Sequence, residues 1–314
     1  SLKHQFTGMK YLGPNRMRLS RDHLLKARSR NWLSEGGDAW DLLQHVVERD
    51  PNKLDGDDIG MLTEAIDKLN YCMKSVLGLN YQIQVNAVYE HLKKWELKAQ
   101  IEYAKHEHSD QGKKFEEVIE RLMKYADKEP TTIGFVLHDP EKNCSFHFNE
   151  VGFGLSQLMP IVVYALYLEN SNLLVEQPEL HIHPGLQAKL ADVLIMSVNI
   201  GGGITGKCRT LEGDTSAVED LDYSKWAKKL NNHFIIETHS EHLILRLLRR
   251  VRETCDPEYT DEECPFPLKP EDISVVYVDS DDGYSKVTHI PIDEEGRFEK
   301  TWPKGFFEER MEEV

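Results

Sequence analysis

Hydrophobic positions along the chain follow two periods, and the change between them sets the expected architecture. Apolar residues at Trp40, Leu42, Leu43, Val46 and Val47 predict an amphipathic helix stopped by Asp50-Pro51. A second helix is predicted over 58–77, with Met61, Leu62, Ile66, Leu69 and Met73 on one face. The period then drops to two. Tyr81 to Val85 reads as a strand, and the runs 132–137 and 144–148 read as a hairpin closed around Asp139-Pro140-Glu141-Lys142-Asn143. Beyond the hairpin the chain alternates: helix 157–169, strand 172–176, helix 185–198, strand 233–237, helix 240–252 and strand 273–278. Strands alternating with helices predict an α/β fold with a mostly parallel sheet, whose functional residues lie at the carboxyl ends of the strands. A short strand over 9–14 runs into a Gly-Pro turn. Residues 86–130 are polar and helix-prone, and 199–232 read as a Gly-rich insertion or flexible loop.

The densest chemistry lies between Val151 and Pro184. A glycine turn, Gly152-Phe153-Gly154, leads through Ser156-Gln157 into an apolar helix, with Pro160 expected in its first turn, where N–H groups lack intrahelical partners. Leu173-Leu174-Val175 is a run of buried-strand type. It delivers Glu176, Gln177 and Glu179 around Pro178, followed by His181-x-His183-Pro184. Carboxylates just past a buried strand suit a nucleotide-bound magnesium ion. Phe234 to Glu241, FIIETHSE, repeats the design, an apolar strand ending in polar groups with Ser240 as N-cap of the next helix.

Taken in order, these motifs resemble the distal half of an ABC-type ATPase head, the class that includes SMC and recombination-repair ATPases and OLD-like predicted ATPases. VGFGLSQ resembles the signature loop, LLVEQPE the Walker B strand, LHIHP the D-loop and FIIETHSE the switch-histidine strand. Tyr11-Leu12-Gly13-Pro14-Asn15-Arg16, and the closing segment from Gly296-Arg297-Phe298 to Phe307, resemble a branch of predicted prokaryotic ATPases with an uncharacterised C-terminal module. The resemblance implies an ABC-type P-loop ATPase sheet with an inserted helical lobe. Its divisions would be a strand and basic segment of the core at 1–31, a helical or mixed lobe at 32–130, and a signature, Walker B, D-loop and switch-histidine lobe with C-terminal module at 131–314. The implied cofactors are ATP and Mg2+.

Residue by residue, the resemblance places Glu176 as the magnesium carboxylate, usually Asp. Gln177 stands where a Glu normally activates the attacking water; a carboxamide can hold that water but is no base. Glu179 is the alternative base, and His239 the histidine facing the terminal phosphate. Gly152, Gly154, Ser156 and Gln157 would meet the phosphates of ATP held by an opposite subunit, with His181 and His183 in the D-loop beside the nucleotide. Two heads would therefore form a homodimer through signature and D-loop, read out by a partner such as a nuclease or DNA in phage defence or repair.

A phosphate-binding loop, G-x-x-x-x-G-K-[ST], should precede the signature loop, and none does. Gly201 to Lys207 matches seven positions, but Cys208 replaces the hydroxyl and no apolar strand feeds it. The expectation is a loop supplied upstream of Ser1 or by another chain, and weak ATP binding by this chain alone. Two other readings stand beside this one. The first is a non-hydrolysing, nucleotide-controlled interaction module, which Gln177 favours. The second is a metallohydrolase built on His181-x-His183, Glu179 and His239-x-x-His242, although Pro178 and Pro184 place the histidine pair in a loop.

Composition narrows the setting. With 314 residues the chain can bury a sizeable core, and no apolar run approaches a membrane span. Five scattered cysteines without a C-x-x-C fit a reducing cytoplasm. A net charge of −16 excludes a surface that is basic throughout. Two basic clusters remain: Arg16, Arg18, Arg21, Lys26, Arg28 and Arg30, and Arg246, Arg249, Arg250 and Arg252. Solvated helix faces are the preferred reading of both, phosphate-backbone contact the alternative.

Overall fold

The computed structural model of the chain describes residues 9–16, 33–48, 64–88, 132–148, 150–198, 230–258, 266–281 and 283–300. Most of the 86–130 segment, the 199–229 insertion, the basic residues between Arg18 and Arg30 and the tail from 301 lie outside them. The elements are β1 (Lys10–Leu12), α1 (Gly37–Glu48), α2 (Glu64–Tyr71), β2 (Gln82–Val88), β3 (Thr132–Asp139), β4 (Cys144–Phe146), α3 (Phe153–Tyr167), β5 (Asn172–Glu176), α4 (Pro184–Val198), β6 (His233–Glu237), α5 (Glu241–Cys255), β7 (Val275–Asp281) and β8 (Tyr284–Ile290). A π-helical turn, Cys72–Val76, follows α2, and a 3-10 turn, Pro270–Asp272, precedes β7.

The central sheet is parallel, in the order β1-β5-β6. Its register places Tyr11 beside Leu174 and Leu174 beside Ile235, one row across the three strands. Because side chains alternate between faces, Leu12, Leu173 and Val175 point into the core, each about 1% exposed. Tyr11, Leu174, Ile235, Glu176 and Glu237 share the other face. That face is only partly covered: Leu174 is half-buried, and Ile235 is 55% exposed. The buried-strand expectation for Leu173-Leu174-Val175 therefore holds for one face alone.

The core is built around α3, whose residues from Ser156 to Leu166 are all buried. Burial of each large apolar side chain there contributes about 1.5–3 kcal/mol. The helix starts at Phe153, earlier than the 157 predicted from periodicity, with Gly152 as its N-cap. Pro160 consequently sits in the helix interior rather than the first turn. The helix absorbs the missing N–H donor because both flanks are packed: Leu158, Met159, Ile161 and Val162 are fully buried. Trp40 of α1 joins the same core and meets Phe148 edge-on, ring centroids 5.0 Å apart.

Strands β2, β3 and β4 form a separate antiparallel sheet, so the predicted hairpin is present and β2 runs through Val88, beyond the five residues its alternation marked. The predicted strand near 273–278 is displaced to Val275–Asp281, and it does not join the parallel sheet. It pairs antiparallel with β8 as a two-stranded hairpin. Its exposed, polar-rich faces do not provide the buried surfaces that a parallel strand requires. The second predicted helix is interrupted: α2 ends at Tyr71 and the π-helical turn takes over, closed by Leu77 N–H donating to Cys72 C=O at 3.0 Å.

Candidate functional site

The site is assembled where β5 and β6 end side by side. Glu176 and Glu237 occupy the same register position on the two strands, both on the outward face. Tyr11, on the third strand of that face, lies beside Glu176. Burial first, and then the Glu176 carboxylate, hold its phenol above the usual range. Past the strand ends, Gln177 takes a left-handed conformation with φ 43° and donates its N–H to Glu237 C=O at 2.8 Å. A non-glycine residue in that region is held by its surroundings. Its carbonyl and that of Glu176 are the ones Arg16 reaches: Arg16 Nη2 donates to Glu176 C=O at 2.6 Å and lies 3.5 Å from Gln177 C=O.

Glu179 is fully engaged. Its Oε2 accepts from Thr238 Oγ1–H and its Oε1 from the His239 N–H, each at 2.7 Å. The carboxylate thus fixes the exit of β6, including the exposed His239 that follows it. Two residues on, Ser240 caps α5 by accepting from Leu243 N–H at 3.1 Å, and its hydroxyl donates to Gln187 of α4 at 2.6 Å. Gln187 in turn donates to Ile182 C=O at 2.8 Å, tying the turn after β5 to the cap after β6.

The glycine turn lies against that same turn. A Cβ at Gly154 would sit 2.4 Å from His181 C=O, so only glycine permits the approach. The Phe153 ring meets the His181 imidazole edge-on at 4.6 Å. Gly152 is exposed, as are His181 and His183. Ser156 and Gln157, in contrast, face inward and are fully buried. Ser156 Oγ–H donates to Phe148 C=O at 2.9 Å. Gln157 bonds the Arg16 backbone reciprocally, accepting from its N–H at 2.7 Å and donating to its C=O at 2.6 Å. Their polar groups are spent inside the protein, and Gly152 to Gly154 are what the helix start presents outward.

His181 has φ 63° and lies in a turn, so the strand geometry that would aim His181 and His183 to one side is not present. Among the described residues no group of three or more His, Cys, Asp or Glu side chains is placed to hold a metal ion. Glu176 and Glu237 supply hard oxygen donors of the kind Mg2+ takes when substrate phosphates and water complete its shell, so the residues fit that ion. Tyr11, Arg16, Glu237 and Gln187 belong to this site and the chemical pattern of the sequence singled out none of them. Tyr11 and Arg16 stood at the two ends of the YLGPNR segment that carries the resemblance, and Glu237 within FIIETHSE, but none with a role at the site.

The second basic cluster resolves differently. Arg246 Nη2 and Arg250 Nε bond Asp192 of α4 at 2.6 and 2.8 Å, while Arg249 and Arg250 bond Glu253 at 2.6 Å. Arg246 and Arg250 therefore hold α4 to α5, while the Arg249 bond to Glu253 lies within α5.

Helices packed on a parallel sheet with polar groups collected at its carboxyl ends define an α/β fold. A family model described as an AAA ATPase domain matches residues 44–244. A second, described as a protein of unknown function (DUF3696), matches residues 268–314. The chain belongs to the AAA ATPase domain family, which generally binds ATP with Mg2+. No curated protein and no solved structure gives a match. No helix among the described residues is long and apolar enough to cross a membrane.

Proposed function

We propose that this chain is the signature, Walker B, D-loop and switch-histidine part of an ABC-type ATPase head. In this reading it pairs with a second copy around ATP and Mg2+, and passes closure on to a nuclease or DNA-processing partner in phage defence or repair. One observation carries the reading: Glu176 and His239 leave neighbouring parallel strands at the same edge, linked by Glu179, with Gly152 to Gly154 beside the intervening turn. Mg2+ and the triphosphate, when bound, would supply the electrophile and the charge to be stabilised. Glu176 would hold the ion, with Glu237 and Tyr11 beside it on the same sheet face. Glu179 keeps His239 in place through its bonds to the Thr238 hydroxyl and the His239 N–H, and it stands as the alternative base to Gln177. Gln177 holds water without accepting its proton, so turnover is slow.

The test is phosphate release by the ATP-hydrolysing assembly containing this chain and a G-x-x-x-x-G-K-[ST] loop. Glu176→Gln abolishes Mg2+-dependent turnover, at least a hundredfold, whereas Gln177→Glu leaves it equal or faster. Loss of activity in Gln177→Glu overturns the role given to the carboxamide. Micromolar ATP binding by the 314 residues alone, read by titration calorimetry, overturns the assignment of the phosphate loop to a segment outside them. The second reading, a nucleotide-controlled interaction module that does not hydrolyse, is favoured by Gln177. Multiple-turnover phosphate release by the unmodified assembly excludes it.

A further inference from the structure

Arg16 is the one buried cation of the site that no carboxylate bonds among the described residues. It is 4% exposed, and its Nε and Nη1 have no hydrogen-bond partner among the described residues. Burial pulls the guanidinium down to about 10, with Glu179 acting in the opposite sense. A buried guanidinium costs several kcal/mol of desolvation, and chains retain such a group where it holds something that a neutral side chain would not. What Arg16 holds is visible. Its backbone is clamped on both sides by Gln157 in the first turn of α3, and its Nη2 reaches Glu176 and Gln177 C=O at the end of β5. The three partners are 141 to 161 residues away in sequence. One residue therefore joins the glycine-opened helix, the C-terminal end of β1 and the acidic turn.

We infer that Arg16 is a positioning residue that mechanically couples the start of α3 to the 176–179 turn, so that displacement of either is transmitted to the other. Gly154 and Phe153 touch the turn only further along, at His181, whereas Gln157 reaches Glu176 and Gln177 through the Arg16 guanidinium. Through Glu176 and Gln177 C=O it sustains the left-handed conformation at Gln177, and with it the direction in which the Glu176 carboxyl and the Gln177 carboxamide leave the strand. The coupling rests on the geometry alone, while its kinetic consequence rests on the proposed ATPase reading.

The test uses hydrogen exchange by mass spectrometry on the full chain, with peptides covering 150–160 and 174–183, for wild type, Arg16→Lys and Arg16→Met. Arg16→Met is expected to speed exchange at least tenfold in both segments together, and Arg16→Lys to restore part of the protection, because an ammonium can keep one carbonyl bond. Gln157→Leu is the second variant, and it should loosen 174–183 although it touches no residue of that turn. If either variant loosens only its own segment, or neither, the coupling is wrong. In the ATP-hydrolysing assembly, Arg16→Lys should lower kcat about tenfold with KM for ATP within about threefold. A raised KM with unchanged kcat would make Arg16 a nucleotide contact and overturn the proposal. Absence of turnover in the unmodified assembly would count against the ATPase reading, and the exchange experiment would still decide the coupling.

Discussion

At the residue scale, Gly154 and Cys72 illustrate two ways in which burial makes a position exacting. Gly154 lets the backbone of α3 touch the turn at His181, and an alanine there must push His181 C=O from 2.4 Å to a normal contact. Gly154→Ala is expected to cost about 1–3 kcal/mol, the range of overpacked sites, read as a lower urea midpoint. If the midpoint is unchanged, the approach of helix and turn is not as described. Cys72 is fully buried, and burial pushes its thiol from an ordinary 9.0 up to about 12. Its folded-state value lies above the unfolded one, so its contribution to stability is complete below pH 9 and is lost as pH rises toward 12. The urea stability gap between wild type and Cys72→Val should accordingly narrow from pH 8 to pH 10.5. A gap that is constant with pH would contradict the burial of the thiol.

At the scale of elements, the joint between α4 and α5 depends on one acid. Asp192 is 1% exposed and accepts from both Arg246 and Arg250, the latter also lying over the Phe266 ring at 5.1 Å. Asp192→Ala takes the carboxylate from Arg246 and leaves Arg250 with Glu253 alone, and is expected to destabilise by about 3 kcal/mol, measured by urea unfolding. A loss below about 1 kcal/mol would show that the pair is dispensable. The sequence made most elements legible because each carries its own local signal: helix period in α1 and α4, apolar runs in β5 and β6, a serine cap at Ser240. It misled where the deciding contacts are distant. Pro160 looked like a first-turn proline because Ser156-Gln157 look like a polar helix start, whereas Phe148 C=O and Arg16 draw those side chains inward. β7 looked like a sixth alternation because its partner β8 has no apolar period of its own. Glu176, Glu179 and His239 could be found because they follow apolar strands, but Glu237 acquires meaning only from strand register and Arg16 only from its long-range bonds to Gln157, Glu176 and Gln177.

At the scale of the whole molecule, the parallel sheet has free outer rims among the described residues, at β1 and at β6. Among the described residues no strand pairs with the outer rim of β6, and Ile235 beside it is 55% exposed. Unpaired apolar rims recruit other chains, so Ile235→Lys is expected to reduce self-association in sedimentation experiments while leaving folding stability within about 0.5 kcal/mol. Unchanged association would place the sticky surface elsewhere, for instance on Val278 and Val287 of the β7–β8 hairpin. The open rim at β6 also has a geometric corollary. A ribbon can be lengthened only from a free border, and the one at β6 ends at Glu237 and His239. Any strand that docks there in parallel delivers its own trailing loop to the spot where these two side chains emerge, so the act of closing the sheet and the act of furnishing the chemistry become one event.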